Sequence, residues 1–183
     1  MLGDGFAPEL ERVRLRPLEA RDAPALYTTY ADPETSRYLS RPPMTGLGEA
    51  EALLARAQAG REEGHGLQLA IERIGDGAFL GVCLLFHIHA ESARAEIGYT
   101  LAREHWSRGY MAEALPALVG YAFGPLGLNR LEADIDPRNA ASARVLERLG
   151  FSREGLLRER WIVAGEASDS AIYGLLRREW RAR

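Results

Sequence analysis

The chain contains no lysine: all 23 of its basic side chains are arginine. That excludes a phosphate-loop lysine, a Schiff base and a lysine nucleophile together. Cysteine is almost as scarce, with Cys83 standing alone, so neither an internal disulfide nor a thiolate metal cluster can form. Cys83 lies inside the apolar run Leu80-Gly81-Val82-Cys83-Leu84-Leu85 and reads as a buried, inert thiol. No uninterrupted apolar run reaches membrane-spanning length, and Met1-Leu2-Gly3-Asp4-Gly5 has neither a basic region nor an apolar signal core. The expectation is a soluble, cytoplasmic protein with no membrane partner.

A strong charge of one sign is missing as well. The formal net charge is −3, too weak for a nucleic-acid footprint, so no nucleic-acid partner is expected. The charge is unevenly spread, with 13 arginines against 20 acids up to Pro137 and 10 arginines against 6 acids after it. A basic C-terminal third beside an acidic remainder suits an anionic ligand with a cationic co-substrate, although an ordinary solvated surface would read the same way. With 183 residues, 46% of them hydrophobic, the chain is long enough for one domain with a real core. We divide it into an extension over 1–12, one domain over 13–180 and a basic tail over 181–183.

What the chain does have is a well-punctuated stretch from Glu96 to Phe151. The strand Glu96-Ile97-Gly98-Tyr99-Thr100-Leu101 feeds the turn His105-Trp106-Ser107-Arg108-Gly109, and an apolar-periodic helix follows. A helix opening on a glycine turn presents free backbone N–H groups and the positive end of its dipole, which together make a seat for a phosphate-like anion. That helix, from about Gly109 to Phe123, carries Ala112, Leu115, Leu118, Val119 and Ala122 on one face. Pro116 interrupts it, at a cost of about 3 kcal/mol unless the helix bends there. In a second helix, Asn139 to Leu149, Asn139 can cap the N–H of Ser142. Gly150 then falls at the left-handed position after its end, and Phe151 folds back on Leu146.

The flanks read more plainly. Val13-Arg14-Leu15-Arg16 alternates and stops at Pro17, giving a first strand. Asp22 is placed to cap a helix with Pro24 in its first turn and Leu26 and Tyr30 on it; Asp32-Pro33 ends that helix. Arg41-Pro42-Pro43 marks a loop, and Glu49 to Arg61 is a second amphipathic helix ending near Gly60 or Gly64. Gly66 to Arg73 and Ala78 to His87 form a hairpin about Gly75-Asp76-Gly77. These glycines precede a strand instead of a helix, so they are no dinucleotide loop. His87 and His89 would share a strand face but lack a third ligand, so no metal is expected. Strands follow over Ala93 to Leu101 and Leu128 to Asp136. A final pair, Leu156 to Val163 and Ser170 to Leu176, turns at Gly165, and Arg177 to Arg183 reads as a fraying basic end.

Taken together, Glu96-Ile97-Gly98-Tyr99, His105-Trp106-Ser107-Arg108-Gly109-Tyr110, Glu113-Ala114, Asn139-x-x-Ser142 and Val145-Leu146-Glu147-Arg148-Leu149-Gly150-Phe151 resemble the GNAT superfamily of acetyl-CoA-dependent N-acetyltransferases. The order of the blocks is similar to the RimJ/RimL-like branch, which includes acetylases of ribosomal-protein N-termini. The likeness runs from roughly Val13 to Trp180 and takes in Arg158, Gly165 and Asp169. Ser107, Met111 and Pro116 depart from the family's usual pattern. The fold so implied is α+β: a mixed, mostly antiparallel sheet of about seven strands with about four helices, splayed between the Ile97–Leu101 and Leu131–Ile135 strands.

The resemblance also implies a site. Acetyl-CoA is the co-substrate, its pyrophosphate received by backbone N–H groups of Arg108, Gly109, Tyr110, Met111 and Ala112, beside Ser107, with Arg103 or Arg108 adding charge. Its peptide-like arm lies along the strand edge at Tyr99, Thr100 and Leu101, whose N–H groups also face the oxyanion. Ser142, at the helix start capped by Asn139, is the expected hydrogen-bond donor to the departing thiolate. Glu96 and then Glu104 are the candidate bases, while Glu113 is assigned to helix structure. The acceptor is an amine, the α-amino group of a protein or peptide before a small molecule (antibiotic, amino acid or polyamine). The acceptor cleft is bordered on fold analogy by Tyr30, Tyr38 and Arg158 to Trp161, with Asp32 and Glu34 favouring a cation. A monomer or homodimer would serve. A non-catalytic acyl-CoA-binding regulatory domain is the alternative from a different class.

Overall fold

The computed structural model describes residues 2–181. The strands are β1 (Val13–Pro17), β2 (Leu67–Arg73), β3 (Phe79–His89), β4 (Arg94–Leu101), β5 (Arg130–Ile135), β6 (Ser152–Val163) and β7 (Glu166–Leu176); the helices are α1 (Ala23–Ala31), α2 (Pro33–Ser36), α3 (Leu47–Glu62), α4 (Tyr110–Phe123) and α5 (Ala140–Leu149). The seven strands form one sheet in the order β1-β2-β3-β4-β5-β7-β6. All neighbours run antiparallel except β4 and β5. The expected mixed α+β sheet is therefore present. A fifth helix joins the expected four because Asp32, which ends α1, also accepts from the N–H groups of Glu34 and Thr35 and so caps the extra turn α2.

Strand alternation sends two sets of side chains to opposite faces. On one face Leu69, Ile71, Cys83, Leu85 and Ile97 pack with Ala114, Leu115 and Leu118 of α4. On the other, Val82 joins Leu26, Tyr30, Met44 and Ala50 from the α1–α3 side. Cys83 is fully buried on the α4 side, and burial pushes its thiol up to about 12, which keeps it protonated and inert. Gly81 lets β3 approach β4 closely, since a Cβ at that position would stand 2.1 Å from the Thr100 carbonyl oxygen.

The parallel pairing of β4 and β5 covers Arg94 with Arg130, Ala95 with Leu131 and Glu96 with Glu132. Beyond it β4 stays bonded to β3 as far as Leu101, while β5 stays bonded to β7 as far as Ile135. Each strand is held on its outer side, and the two part on the inner side. The backbone of Ile97–Leu101 is thus left without a strand neighbour along one edge, and an unpaired edge is a template for an extended ligand.

Several expectations need correction. Asp22 sits at the start of α1 but does not cap it. Its carboxylate accepts instead from Arg16 at 2.7 and 2.8 Å and from the Glu19 N–H at 2.8 Å. Glu72, 2% exposed, accepts from Arg14 and Arg16 in the same cluster; burial raises its carboxyl but those arginine hydrogen bonds outweigh it, so it lies below the ordinary value. The amphipathic helix α3 fully buries only Ala50. At His87 the backbone is left-handed, φ 48°, and the ladder shifts between Phe86 and His89. The two histidines are consequently separated: His87 meets Glu96, and His89 accepts from the Ser92 N–H.

Both chain ends pack on the domain. Phe6 stacks on Tyr121 with ring centroids 4.0 Å apart, and the Gly3 N–H donates to the Tyr121 hydroxyl at 3.0 Å. Arg177 donates its N–H to the Asn129 carbonyl at 2.9 Å, and Trp180 packs against the core beside Phe123. Arg177–Trp180 is therefore anchored and not frayed; residues 182–183 of the basic tail lie outside the described residues. Among the described residues no helix is long and apolar enough to cross a membrane.

Candidate active site

The turn into α4 has Ser107 at φ 58° and Gly109 at φ 82°. Left-handed residues in such a turn bring successive N–H groups to one side, and the first turn of α4 adds donors that have no carbonyl four residues back. A side chain at Gly109 would be strained by its φ, and its Cβ would stand 3.3 Å from Arg12 Nη2. Arg12 is a site residue the sequence reading passed over, having placed it in the extension. Its N–H and Nε donate to the Glu113 carboxylate at 2.6 and 2.8 Å, and Nη1 donates to the Arg108 carbonyl at 2.9 Å. The guanidinium also covers the Tyr110 ring at 5.1 Å. Glu113 thus ties the start of β1 to the first turn of α4 and sets the Arg12 guanidinium beside Gly109.

The start of α5 is built as the sequence implied. Asn139 Oδ1 accepts from the Ser142 N–H at 3.0 Å, and Gly150 closes the helix at φ 97° with the Phe151 N–H donating to the Leu146 carbonyl at 3.0 Å. The cap leaves the Ser142 hydroxyl free, and it shares a hydrogen bond of 2.8 Å with the Tyr99 hydroxyl. Burial pushes the Tyr99 phenol up to about 12, so the pair is neutral and keeps both hydroxyl protons. The sequence reading used Tyr99 only for its backbone. No local signal reveals that its ring reaches a helix 43 residues further on.

Two cavities flank the split between β4 and β5. The smaller, about 390 Å³, gathers Tyr99, Thr100, Leu101, Ser107, Met111, Asn139 and Ser142. Trp106 also lines it and donates its indole N–H to the Leu101 carbonyl at 2.8 Å, so one acceptor of the free edge is already used. The larger, about 590 Å³, is lined by Phe86, His87, Glu96, Asp134, Tyr38 and Trp161 among others. Arg37-Tyr38-Leu39 is common to both. Trp161 reaches across from β6 to donate to Asp134 at 3.3 Å.

Other expected residues fall elsewhere. Arg103 and Glu104 line a separate cavity with Asp32 and Thr35, and the Glu104 side chain is 74% exposed, so neither joins Ser142 or Glu96. Arg108 and Tyr110 can contribute through their backbone; the Tyr110 side chain is buried, and Ala112 lines a groove between α4 and α5. Tyr30 belongs to the second core instead of the cleft wall. Asp32 is spent on its cap, and Glu34 lies on the smaller cavity.

The smaller cavity fits a thioester-bearing phosphate ester on observable grounds: an unpaired strand edge, a helix N-terminus behind a left-handed glycine, and a hydroxyl pair between them. This defines an acyl-CoA-dependent transferase. The acetyltransferase (GNAT) domain family matches residues 12–152. The uncharacterized N-acetyltransferase p20 of Bacillus licheniformis is 36% identical over 170 residues, covering 93% of this chain and 96% of that one. The Escherichia coli [ribosomal protein uS5]-alanine N-acetyltransferase is 30% identical over 84 residues, 46% of this chain and 43% of that one. The solved structure of Mycobacterium smegmatis RimJ in complex with CoA-disulfide superposes with a TM-score of 0.81 at 27% identity, covering 93% of this chain and 86% of that one. The chain belongs to the acetyltransferase (GNAT) family and is an acetyl-CoA-dependent N-acetyltransferase, with ribosomal-protein N-acetyltransferases among its homologues.

Proposed function

We propose that this enzyme transfers the acetyl group of acetyl-CoA directly to the α-amino group of a peptide or protein. The observation that carries the reading is the pair of cavities joined at Arg37-Tyr38-Leu39, with the Tyr99–Ser142 hydroxyls on one and Glu96 on the other. Acetyl-CoA, when bound, supplies the activated acyl group. Arg12 and the first-turn N–H groups of α4 hold its phosphates, and the free edge of β4 takes its arm. Ser142, hydrogen-bonded to Tyr99, gives a proton or hydrogen bond to the leaving sulfur. Glu96, which lines the larger cavity, serves the deprotonation of the incoming ammonium; Glu104 takes no part.

A peptide is favoured by what borders the larger cavity. Trp161, 40% exposed, and Val163 of the same strand line its wall, which gives a following chain apolar surface to lie on. A small polycationic amine is the second reading, supported by Asp134, Asp136, Glu166 and Asp169 on the same walls. The test is an acceptor panel read by mass spectrometry: N-terminal peptides, internal-lysine peptides, amino acids, a polyamine and aminoglycosides. Acetylation at peptide α-amines is expected. Transfer only to small amines would overturn the peptide reading, and acetyl-CoA binding with no transfer to anything would favour a regulatory domain.

A further inference from the structure

We propose that the proton of the incoming ammonium is taken by His87, with Glu96 as the positioning residue that holds its imidazole; this rests on the reading of the larger cavity as the acceptor site. Nδ1 of His87 lies 2.8 Å from Glu96 Oε1. An ionised carboxylate can only accept, so Nδ1 carries the hydrogen and Nε2 keeps its lone pair. Both residues line the larger cavity. An imidazole oriented by a carboxylate through one nitrogen and open at the other is the arrangement of a general base.

The backbone supports this assignment. His87 has φ 48°, a left-handed conformation unfavourable for a non-glycine residue, and it lies within the ladder irregularity between Phe86 and His89. Such irregularities re-aim a side chain, often beside an active site. Without the bulge, alternation would leave Glu96 and His87 out of register. Glu96 is also the last β4 residue paired with β5 before the split. Its opposite number, Glu132, is engaged by Arg94 and Arg130, so it does not compete for the imidazole. Glu96 itself suits the proton less well, because a carboxylate is ordinarily a weaker base than imidazole by about two pKa units.

The proton balance closes. The ammonium loses one proton to His87 Nε2, which passes it to solvent. The neutral nitrogen forms the C–N bond as the C–S bond breaks. The nitrogen then gives its second proton to solvent, the thiolate takes one from the Tyr99–Ser142 pair, and solvent reprotonates that pair, so amide, CoA thiol and one released proton remain. The charged groups that line the cavity with His87 are Asp134 and Asp136 from the β5 end, Glu166 and Asp169 from β7, and Arg37, Arg41 and Arg138. Asp136 is itself ion-paired with Arg138 at 2.6 Å, which mutes both.

The test uses the full chain with acetyl-CoA and a short peptide bearing a free N-terminus. With acetyl-CoA affinity unchanged, His87→Gln is expected to lower kcat/KM by about 100-fold and to remove the acidic limb of its pH profile in the range where imidazole titrates. The His87 side chain is 71% exposed, so the variant should fold, and its melting temperature checks that. Independently of turnover, nitrogen NMR of labelled histidine, with the His87 signal assigned by its loss in His87→Gln, is expected to find the proton on Nδ1; Glu96→Gln should redistribute it. An unchanged pH profile in His87→Gln, or a proton found on Nε2 in the parent enzyme, overturns the proposal. If the parent enzyme acetylates no amine, the acceptor reading itself fails, and the NMR result still decides the pairing.

Discussion

The two cavities that meet at Arg37-Tyr38-Leu39 are built by different means. The smaller is made mostly of backbone: a helix N-terminus, a left-handed glycine and an unpaired strand edge, contributed chiefly by 99–111 and 139–145. The larger is made of side chains from distant elements, with His87 from β3, Glu96 from β4, Asp134 from β5 and Trp161 from β6. Backbone donors bind what every acetyl-CoA has in common, while side chains can change without disturbing the sheet. On the function proposed above, the smaller cavity is the cofactor half, which holds the chemistry constant, and the larger is the acceptor half, which sets the choice of amine.

Substitutions in each half should therefore separate cleanly. The largest effect is expected from Gly109→Asp, which adds a charge and a strained side chain at the anion seat. Acetyl-CoA affinity measured by calorimetry should fall more than about 100-fold, with Gly109→Ala losing about tenfold from backbone strain alone. Normal affinity in a folded Gly109→Asp protein would move the seat elsewhere. Next, Ser142→Ala and Tyr99→Phe should each lower kcat by about 10- to 100-fold while leaving acetyl-CoA affinity nearly intact. Because the hydroxyls act together, the double variant should lose far less than the product of the two; full additivity would break the pairing.

On the other side, Trp161→Ala should raise the acceptor KM about tenfold without altering acetyl-CoA affinity. A loss of acetyl-CoA binding there would erase the distinction between the halves. Arg12→Ala should weaken acetyl-CoA binding only about three- to tenfold, since the guanidinium is partly solvated and the backbone donors remain. The smallest effect is a pH dependence. Tyr99 has its phenol raised from 10.0 to about 12 by burial, so its contribution to stability is full below pH 10 and is lost as pH rises toward 12. Melting temperatures over that range should fall more steeply in the parent than in Tyr99→Phe; equal slopes would place the phenol in water.

The framework of the smaller cavity was legible because its signals are short-range. Gly109 before an apolar helix, Asn139 three residues before Ser142, and Gly150 with Phe151 after Leu149 are each local patterns, and the structure has each in the expected geometry. Arg12 was not legible. It reaches Glu113 across 101 positions, and an arginine just before a strand looks like any solvated charge. Asp22 misled for a related reason: an aspartate ahead of Ala23-Pro24 has the form of a cap, but Arg16 offered a charged, buried partner and won. His87 and His89 misled through strict alternation, which a left-handed residue abolishes.

By itself the sequence determined the order and type of most elements, the buried and inert thiol, the glycine turn that opens α4 and the capped start of α5. Each follows from periodicity, from capping within three or four residues, or from backbone conformations that only certain residues adopt. Only the tertiary structure decided that Glu104 stands apart, that Tyr99 completes the pair with Ser142, and that the walls of the larger cavity come from β3, β4, β5 and β6. Those facts depend on where β4 and β5 part and on how far one β-bulge turns a side chain. Strand register brings residues together across many positions, and no spacing along the chain encodes it.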